Sequence, residues 1–249
     1  YIILTDRDID DSRAAIPSLL AVSAVHHHLI SVQKRVQTAL IVESGEIREV
    51  MHAALLLGYE ASAICPYMTF AVLDNLVKNH KIQEDYATAE AHYIKAVDKG
   101  LKKVMSKMGI STIRSYRGAK IFESIGLSES LLKTYFGTEV STIGGIGLDK
   151  IAADAIERYA IAHATVNGGR PTPGAVLHDH GQFHWRRDGI RHAWNPETIA
   201  KLQMACRKGD YALFKEWSRL VDEKETPIFL RDFMAFRQAP VGIDEVEPV

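Results

Sequence analysis

The fold is decided by Thr38–Tyr67, TALIVESGEIREVMHAALLLGYEASAICPY. Thr38–Val42 is an apolar run of strand length that ends in polar Glu43-Ser44-Gly45-Glu46. Apolar residues then recur at helical spacing from Ile47 to Leu57, and Gly58 stops them. Ala61–Ile64 is another short apolar run, ending at Cys65-Pro66-Tyr67. A strand, a helix and a strand with short connections predict parallel strands joined by a right-handed crossover.

The same rhythm extends outward on both sides. Upstream, Tyr1–Leu4 is a strand ending in Thr5-Asp6-Arg7, and Ile16–Ile30 is a helix with Pro17 near its start. Downstream, Thr69–Lys78 is the next helix. The predicted class is therefore α/β, with repeated βα units and all strand ends on one rim. In barrels and open α/β sheets that rim is where chemistry is done. Asp6, Arg7, Glu43, Ser44, Glu46 and Tyr67 are the rim candidates, weighed against helix capping and mutual pairing.

Beyond residue 80 the pattern becomes mainly helical. Asn79–Ala91 reads as a polar surface connection leading into an amphipathic helix, His92–Met108, stopped by Gly109. Ile110–Ile113 is β-branched and reads as a strand. Ser115-Tyr116-Arg117-Gly118 reads as the start of a helix with Ala119, Ile121, Phe122 and Ile125 on its apolar face and Gly126 as its stop. A helix start with Ser, Arg and Gly is also what an anion site needs, although plain architecture explains it. Ser128 caps a short helix to Tyr135. Gly144-Gly145-Ile146-Gly147 lacks phosphate-loop spacing and reads as a turn before a helix, Lys150–Ala164.

Thr165–Gly174 is a loop. His178, His180, His184 and His192 form the densest histidine cluster, but Phe183–Arg187 followed by Asp188-Gly189 reads better as a small hairpin than as a metal site. His26-His27-His28 are adjacent on a helix, about 100° apart, and cannot converge on one ion. Asn195-Pro196 opens a helix to Lys208, and Asp210 caps another to Val221. Pro227–Phe236 reads as a last amphipathic helix before an extended acidic end, Ala239–Val249. The expected organisation is a βαβαβα unit over 1–80, a helix-rich α/β part over 81–164, and a loop, hairpin and C-terminal helices over 165–249.

The composition excludes several classes. The chain has 249 residues, 47% hydrophobic and 24% charged, with a formal net charge of −1. That is ordinary globular material with no strong field toward nucleic acid or membrane. No run of about 18 apolar residues suggests a membrane span. Cys65 and Cys206 are too few and too far apart for a disulfide framework and suggest free thiols. The chain opens directly in an apolar strand, Tyr1–Leu4, and closes on linker-like residues. A segment of a longer polypeptide is expected.

Several stretches together resemble one family. They are Thr5–Ile30 (TDRDIDDSRAAIPSLLAVSAVHHHLI), Ile41–Tyr67, Tyr93–Leu127 (YIKAVDKGLKKVMSKMGISTIRSYRGAKIFESIGL), Asn195–Trp217 and Val241–Val249. In order and spacing they resemble the central part of glutamate synthase large subunits. The departures are Thr5, where Ser is expected, and the loop from Thr165 to His180. The resemblance implies an α/β segment like part of a degenerate (β/α) barrel. It also implies an enzyme that makes two glutamates from glutamine, 2-oxoglutarate and a reductant, in the cytoplasm or in a plastid. In such an enzyme an amidotransferase domain releases ammonia. A tunnel carries it to a later flavin mononucleotide (FMN) domain with an iron–sulfur cluster, and a small electron-donating subunit or ferredoxin supplies electrons. This segment would sit between the two domains as a scaffold, with no catalytic residue, metal or cofactor of its own. A different class remains open: a free-standing flavin- or phosphate-binding barrel enzyme using the rim residues and the glycines at 144–147. A stand-alone interaction module is the third possibility.

Overall fold

The computed structural model describes residues 1–10, 12–137, 141–164, 181–222, 227–235, 237, 239 and 241–247. The chain divides into two compact units, Tyr1–Pro171 and Thr172–Val249.

The first unit is built on a three-stranded parallel sheet in chain order: β1 (Ile2–Thr5), β2 (Leu40–Glu43) and β3 (Ala63–Cys65). Its register pairs Ile2 with Leu40, Leu4 with Val42, and Val42 with Ile64. The crossovers are α1 (Ser18–Ser31) and α2 (Val50–Gly58), and α3 (Tyr67–Lys78) follows β3. Pro17 stands at the N-cap of α1, where its fixed φ suits the entry. Glu49 and His52 form a reciprocal cap on α2. One core joins the elements: Val22 from α1, Val42 from β2, and Leu56 and Leu57 from α2, with Leu4 and Ile64 packed against them. The expected α/β class with parallel βα units therefore holds.

The long helix α4 (Tyr86–Lys107) lays Leu101, Val104 and Met105 against that core. It starts six residues before the expected His92, because Asp85 accepts a hydrogen bond from the Thr88 N–H and opens a polar first turn. Gly109 follows its end with φ +70°, as its position predicted.

The next stretch corrects the sequence reading. Ile110–Thr112 form no strand, and a four-residue helix, α5 (Ile113–Tyr116), stands there. The expected helix across Ala119–Ile125 is absent. Gly118, Lys120 and Gly126 all have left-handed backbones, which no α-helix accommodates. Tyr116 is wholly buried, and its hydroxyl donates to the Ala54 carbonyl (2.9 Å). The Gly118 N–H donates to the Gly58 carbonyl (2.9 Å). Ile121 and Phe122 then pack on the core without a helix. The segment is a latch over the corner between α2 and β3.

Charge reinforces the latch. Arg117 Nη2 meets Glu60 Oε2 at 2.9 Å, and Arg35 Nη2 reaches the Glu60 carbonyl at 2.9 Å. Arg35 Nε donates to His26 Nδ1 (2.8 Å). A second core cluster lies nearby: Leu20 with Leu131, Leu132 and Phe136 around α6 (Glu129–Tyr135). Ser128 caps α6 through the Leu131 N–H, as expected. Helix α7 (Leu148–Ala164) completes the unit. Ahead of it, Leu127 bridges Ile146, and Gly126 and Ser128 exchange backbone hydrogen bonds with Ile143 and Ile146.

In the second unit, Asn195 accepts from the N–H groups of Glu197 and Thr198 and starts α8 (Pro196–Lys208). Asp210 does the same for α9 (Tyr211–Asp222) through Ala212 and Leu213. Both caps match expectation. The hairpin does not: Phe183–Arg187 form no strand, and only a turn with Gly189 N–H donating to the Arg186 carbonyl is present. The last helix shrinks to a 3₁₀ turn, Leu230–Phe233, because Asp232 takes the Ile228 and Phe229 N–H groups. Another such turn, Ile243–Glu245, interrupts the expected extended end. His178 and His180 lie outside the described residues.

Tyr116→Ala should lower the unfolding free energy by about 3–5 kcal/mol, as large buried aromatics do. Tyr116→Phe should cost about 1 kcal/mol, for the hydrogen bond alone. Urea unfolding of both variants checks the pair. His26 gives a second test. Burial chiefly, then the neighbouring His27 and the positive Arg35 and Arg117, holds its pKa down at about 4. The unfolded chain binds that proton first, so this group's stabilisation is full above about pH 6.5 and falls between there and pH 4. His26→Gln keeps an acceptor for Arg35 and should flatten that slope in urea midpoints measured from pH 7.5 to 4.5.

Candidate functional site

The three strand ends bring Asp6, Arg7, Glu43, Ser44, Glu46 and Tyr67 to one rim, where the sequence placed them. Each is engaged by another. Ser44 Oγ donates to Asp6 Oδ2 (2.6 Å), and the Gly45 N–H donates to the same carboxylate (3.0 Å). The Tyr67 hydroxyl also bonds Asp6, and that bond, with burial as the larger cause, pushes its pKa up to about 12. Glu43 takes Arg7 Nε at 2.7 Å and the Thr5 hydroxyl at 2.8 Å. Those two hydrogen bonds, Arg7 first, pull the Glu43 carboxyl below its usual range. The Arg7 guanidinium in turn lies 4.1 Å from the centre of the Tyr67 ring.

Glu46 closes the last gap. Its Oε2 accepts from the Ser18 N–H at 2.8 Å. A helix N-terminus attracts anions, and at α1 the protein's own carboxylate occupies that position. Beside the rim, a cavity of about 440 Å³ opens between β1, the residues before α1 and the end of β2. Arg13 lines this cavity and, ahead of Ser12, holds the Asp10 carboxyl well below its ordinary pKa. The Tyr159 hydroxyl of α7 donates to the Asp10 carbonyl.

Two contributors escaped the sequence reading. Thr5 bridges to Glu43 across two strands, a register effect invisible in one strand alone. Asp10 was lost in a run of acidic residues, yet Asp10-x-Ser12-Arg13 is a local turn signal. Among the described residues no group of three or more His, Cys, Asp or Glu side chains could hold a metal ion. Among them, no helix is long and apolar enough to cross a membrane. Cys65 is half-buried at the end of β3, and Cys206 is exposed in the second unit.

Residues 1–128 match the family described as glutamate synthase central domain. The chain belongs to this family. It is 43% identical over 248 residues to the glutamate synthase [NADPH] large chain of Bacillus subtilis, covering 99% of this chain and 16% of that protein. It is 36% identical to the glutamate synthase [NADH] of Schizosaccharomyces pombe, over 99% of this chain and 12% of that one. The ferredoxin-dependent glutamate synthase of Pyropia yezoensis is 34% identical over all of this chain and 17% of its own length. The chain thus spans about one sixth or less of these relatives. In this chain the rim is a clasp between successive βα loops. Asp6→Ala removes the acceptor shared by Ser44, Gly45 and Tyr67. It should cost about 1–3 kcal/mol of stability and return the Tyr67 titration toward the ordinary tyrosine value near 10. Ultraviolet titration, with Tyr67→Phe subtracted, reads the second effect.

Proposed function

We propose that this chain serves as the central segment of a glutamate synthase large chain and acts as a scaffold. It would hold the amidotransferase and FMN domains in register and wall the passage that carries ammonia between them. The whole enzyme would convert glutamine, 2-oxoglutarate and reductant to two glutamates, in the cytoplasm or a plastid. Electrons would come from a small subunit or a ferredoxin. The segment alone would not catalyse this reaction.

The observation that carries the reading is the state of the rim. A catalytic centre needs a nucleophile or base with capacity left for substrate. Here Asp6, Glu43 and Glu46 are each engaged by backbone or side-chain donors of neighbouring loops. That is what a rigid connecting domain needs.

The cofactors of such an enzyme do not fit these residues. An iron–sulfur cluster takes several thiolates, and the chain has only two cysteines, Cys65 and Cys206. A flavin phosphate would look for a helix N-terminus, but Glu46 fills that of α1. Within the glycine stretch at 144–147, Ile146 spends its N–H on the Gly126 carbonyl and its carbonyl on the Ser128 N–H. Flavin mononucleotide titrated into the chain should therefore give no saturable binding and no shift of its visible spectrum. Tight binding with a shifted spectrum would favour the flavin-binding barrel enzyme instead.

A further inference from the structure

The second unit carries a cleft of about 630 Å³ with aromatic walls. Trp217 and Val221 lie one turn apart on α9 and both line it, and Asp222 ends that helix at its edge. Trp194, the residue before the Asn195 cap of α8, supplies another wall. Phe229 and Arg231 come from the 3₁₀ turn and its cap.

The aromatic wall is stacked and held in place. Trp194 lies on Trp217 at 6.0 Å between ring centres, with 22° between the planes. Phe214 supports Trp217 at 5.4 Å, and Tyr211 extends the stack at 6.1 Å from Phe214. Lys201 on α8 pairs with Glu216 on α9 at 3.1 Å and ties the two helices together. Trp194 nevertheless stays 52% exposed. A fixed indole with half its surface open is a platform for another flat ring, and stacking on it costs little further ordering.

The polar groups at the cleft carry both signs and are already paired. Arg231 Nη2 stands 3.8 Å from Asp222 Oδ1, and its guanidinium lies 5.2 Å from the centre of the Phe229 ring. Asp222 Oδ2 takes the Ser218 hydroxyl at 3.2 Å. Asp232, 3.9 Å from Arg231 Nε, takes the Ile228 and Phe229 N–H groups. At 3.8 Å Arg231 and Asp222 attract but do not hydrogen-bond. Both are well exposed, and such a pair holds little energy. A charged ligand would have to compete with one member for the other. A neutral ring with a donor and an acceptor side by side on one edge can bond to both and leave the pair standing. Trp217 Nε1 is also buried without an acceptor.

We propose that this cleft binds the guanine base of a free nucleoside or nucleotide. Guanine is flat and neutral, and one edge carries N–H donors beside the O6 acceptor. The donors suit the Asp222 carboxylate, O6 suits the Arg231 fork, and the ring would lie on Trp194. The net charge of −1 supplies no field to hold a nucleic-acid backbone, which favours a free ligand over a strand of RNA. The site needs no surplus of charge. It is separate from the rim and does not depend on the scaffold reading.

Equilibrium dialysis of labelled guanosine against the intact chain at pH 7.5 should show saturable one-to-one binding. Adenosine lacks the N–H beside a carbonyl, and methyl glucoside lacks a flat π face. Each should compete at least about tenfold more weakly, the factor for losing one charge-assisted contact or one stack. A single-stranded RNA hexamer containing guanine should compete no better than guanosine. Trp194→Ala removes the half-exposed platform and should weaken guanosine and adenosine alike, about tenfold. Asp222→Asn removes the charged acceptor and should weaken guanosine about tenfold while changing adenosine little. Circular dichroism checks that both variants fold. The proposal is overturned by unsaturable guanosine, by adenosine or methyl glucoside of equal affinity, by tighter binding of the hexamer, or by either folded variant that keeps wild-type affinity for guanosine.

Discussion

Parallel strands laid side by side in chain order, joined by right-handed crossovers, must carry their connecting helices on one face. That constraint governs the first unit. It puts α1 and α2 over Leu4, Val42 and Ile64 and creates a single core between them. It also leaves the corner between α2 and β3 open at one side, where the chain must supply a cover. Tyr116 provides it. The ring fills the space against Leu56 and Leu57, and the hydroxyl buried with it finds its acceptor in the Ala54 carbonyl.

The two ends of the sheet solve the same electrostatic problem differently. At the C-terminal rim, Asp6 after β1 is met by Ser44 and Gly45 after β2, while Glu43 and Glu46 at the end of β2 are met by Arg7 and Ser18 of the β1–α1 segment. At the other end a single carboxylate, Glu60, serves two guanidiniums. Arg117 Nε remains buried without an acceptor there. The rim meets each carboxylate with its own donors, whereas the latch end shares one carboxylate between two guanidiniums.

The sequence made the βα repeat legible because short apolar runs with polar ends depend on local pattern alone. Helix caps were legible for the same reason: Asn195, Asp210 and Ser128 each act within three residues of themselves. The latch was not. Ile121, Phe122 and Ile125 mimic the spacing of a helical face, but the left-handed backbone at Lys120 is set by tertiary contact, and no residue type announces it. Asp85 was overlooked because the first turn of α4 is polar on every side and carries no hydrophobic period. At Asp188-Gly189 a turn is present without the hairpin it implied, since flanking strands need cross-strand partners that residues 183–187 lack. The common rim of Asp6, Glu43 and Tyr67 was legible from the polar ends of the apolar runs. Their pairing was not, because Thr5–Glu43 and Asp6–Ser44 depend on strand register.

That pairing bears on chemistry through the direction of the pKa shifts. A general acid or base works best when its pKa lies near the working pH, so active sites push carboxyls up and phenols down. At this rim the shifts run the other way. Glu43 is drawn below its normal range by Arg7, and Tyr67 is pushed up to about 12 by burial and by Asp6. Both groups are locked further into the protonation states they already hold at neutral pH. A carboxylate that is harder to protonate and a phenol that is harder to ionise make a stronger clasp and a poorer proton relay. The same contacts that bring the six residues together therefore tighten this end of the sheet rather than ready its groups to exchange protons.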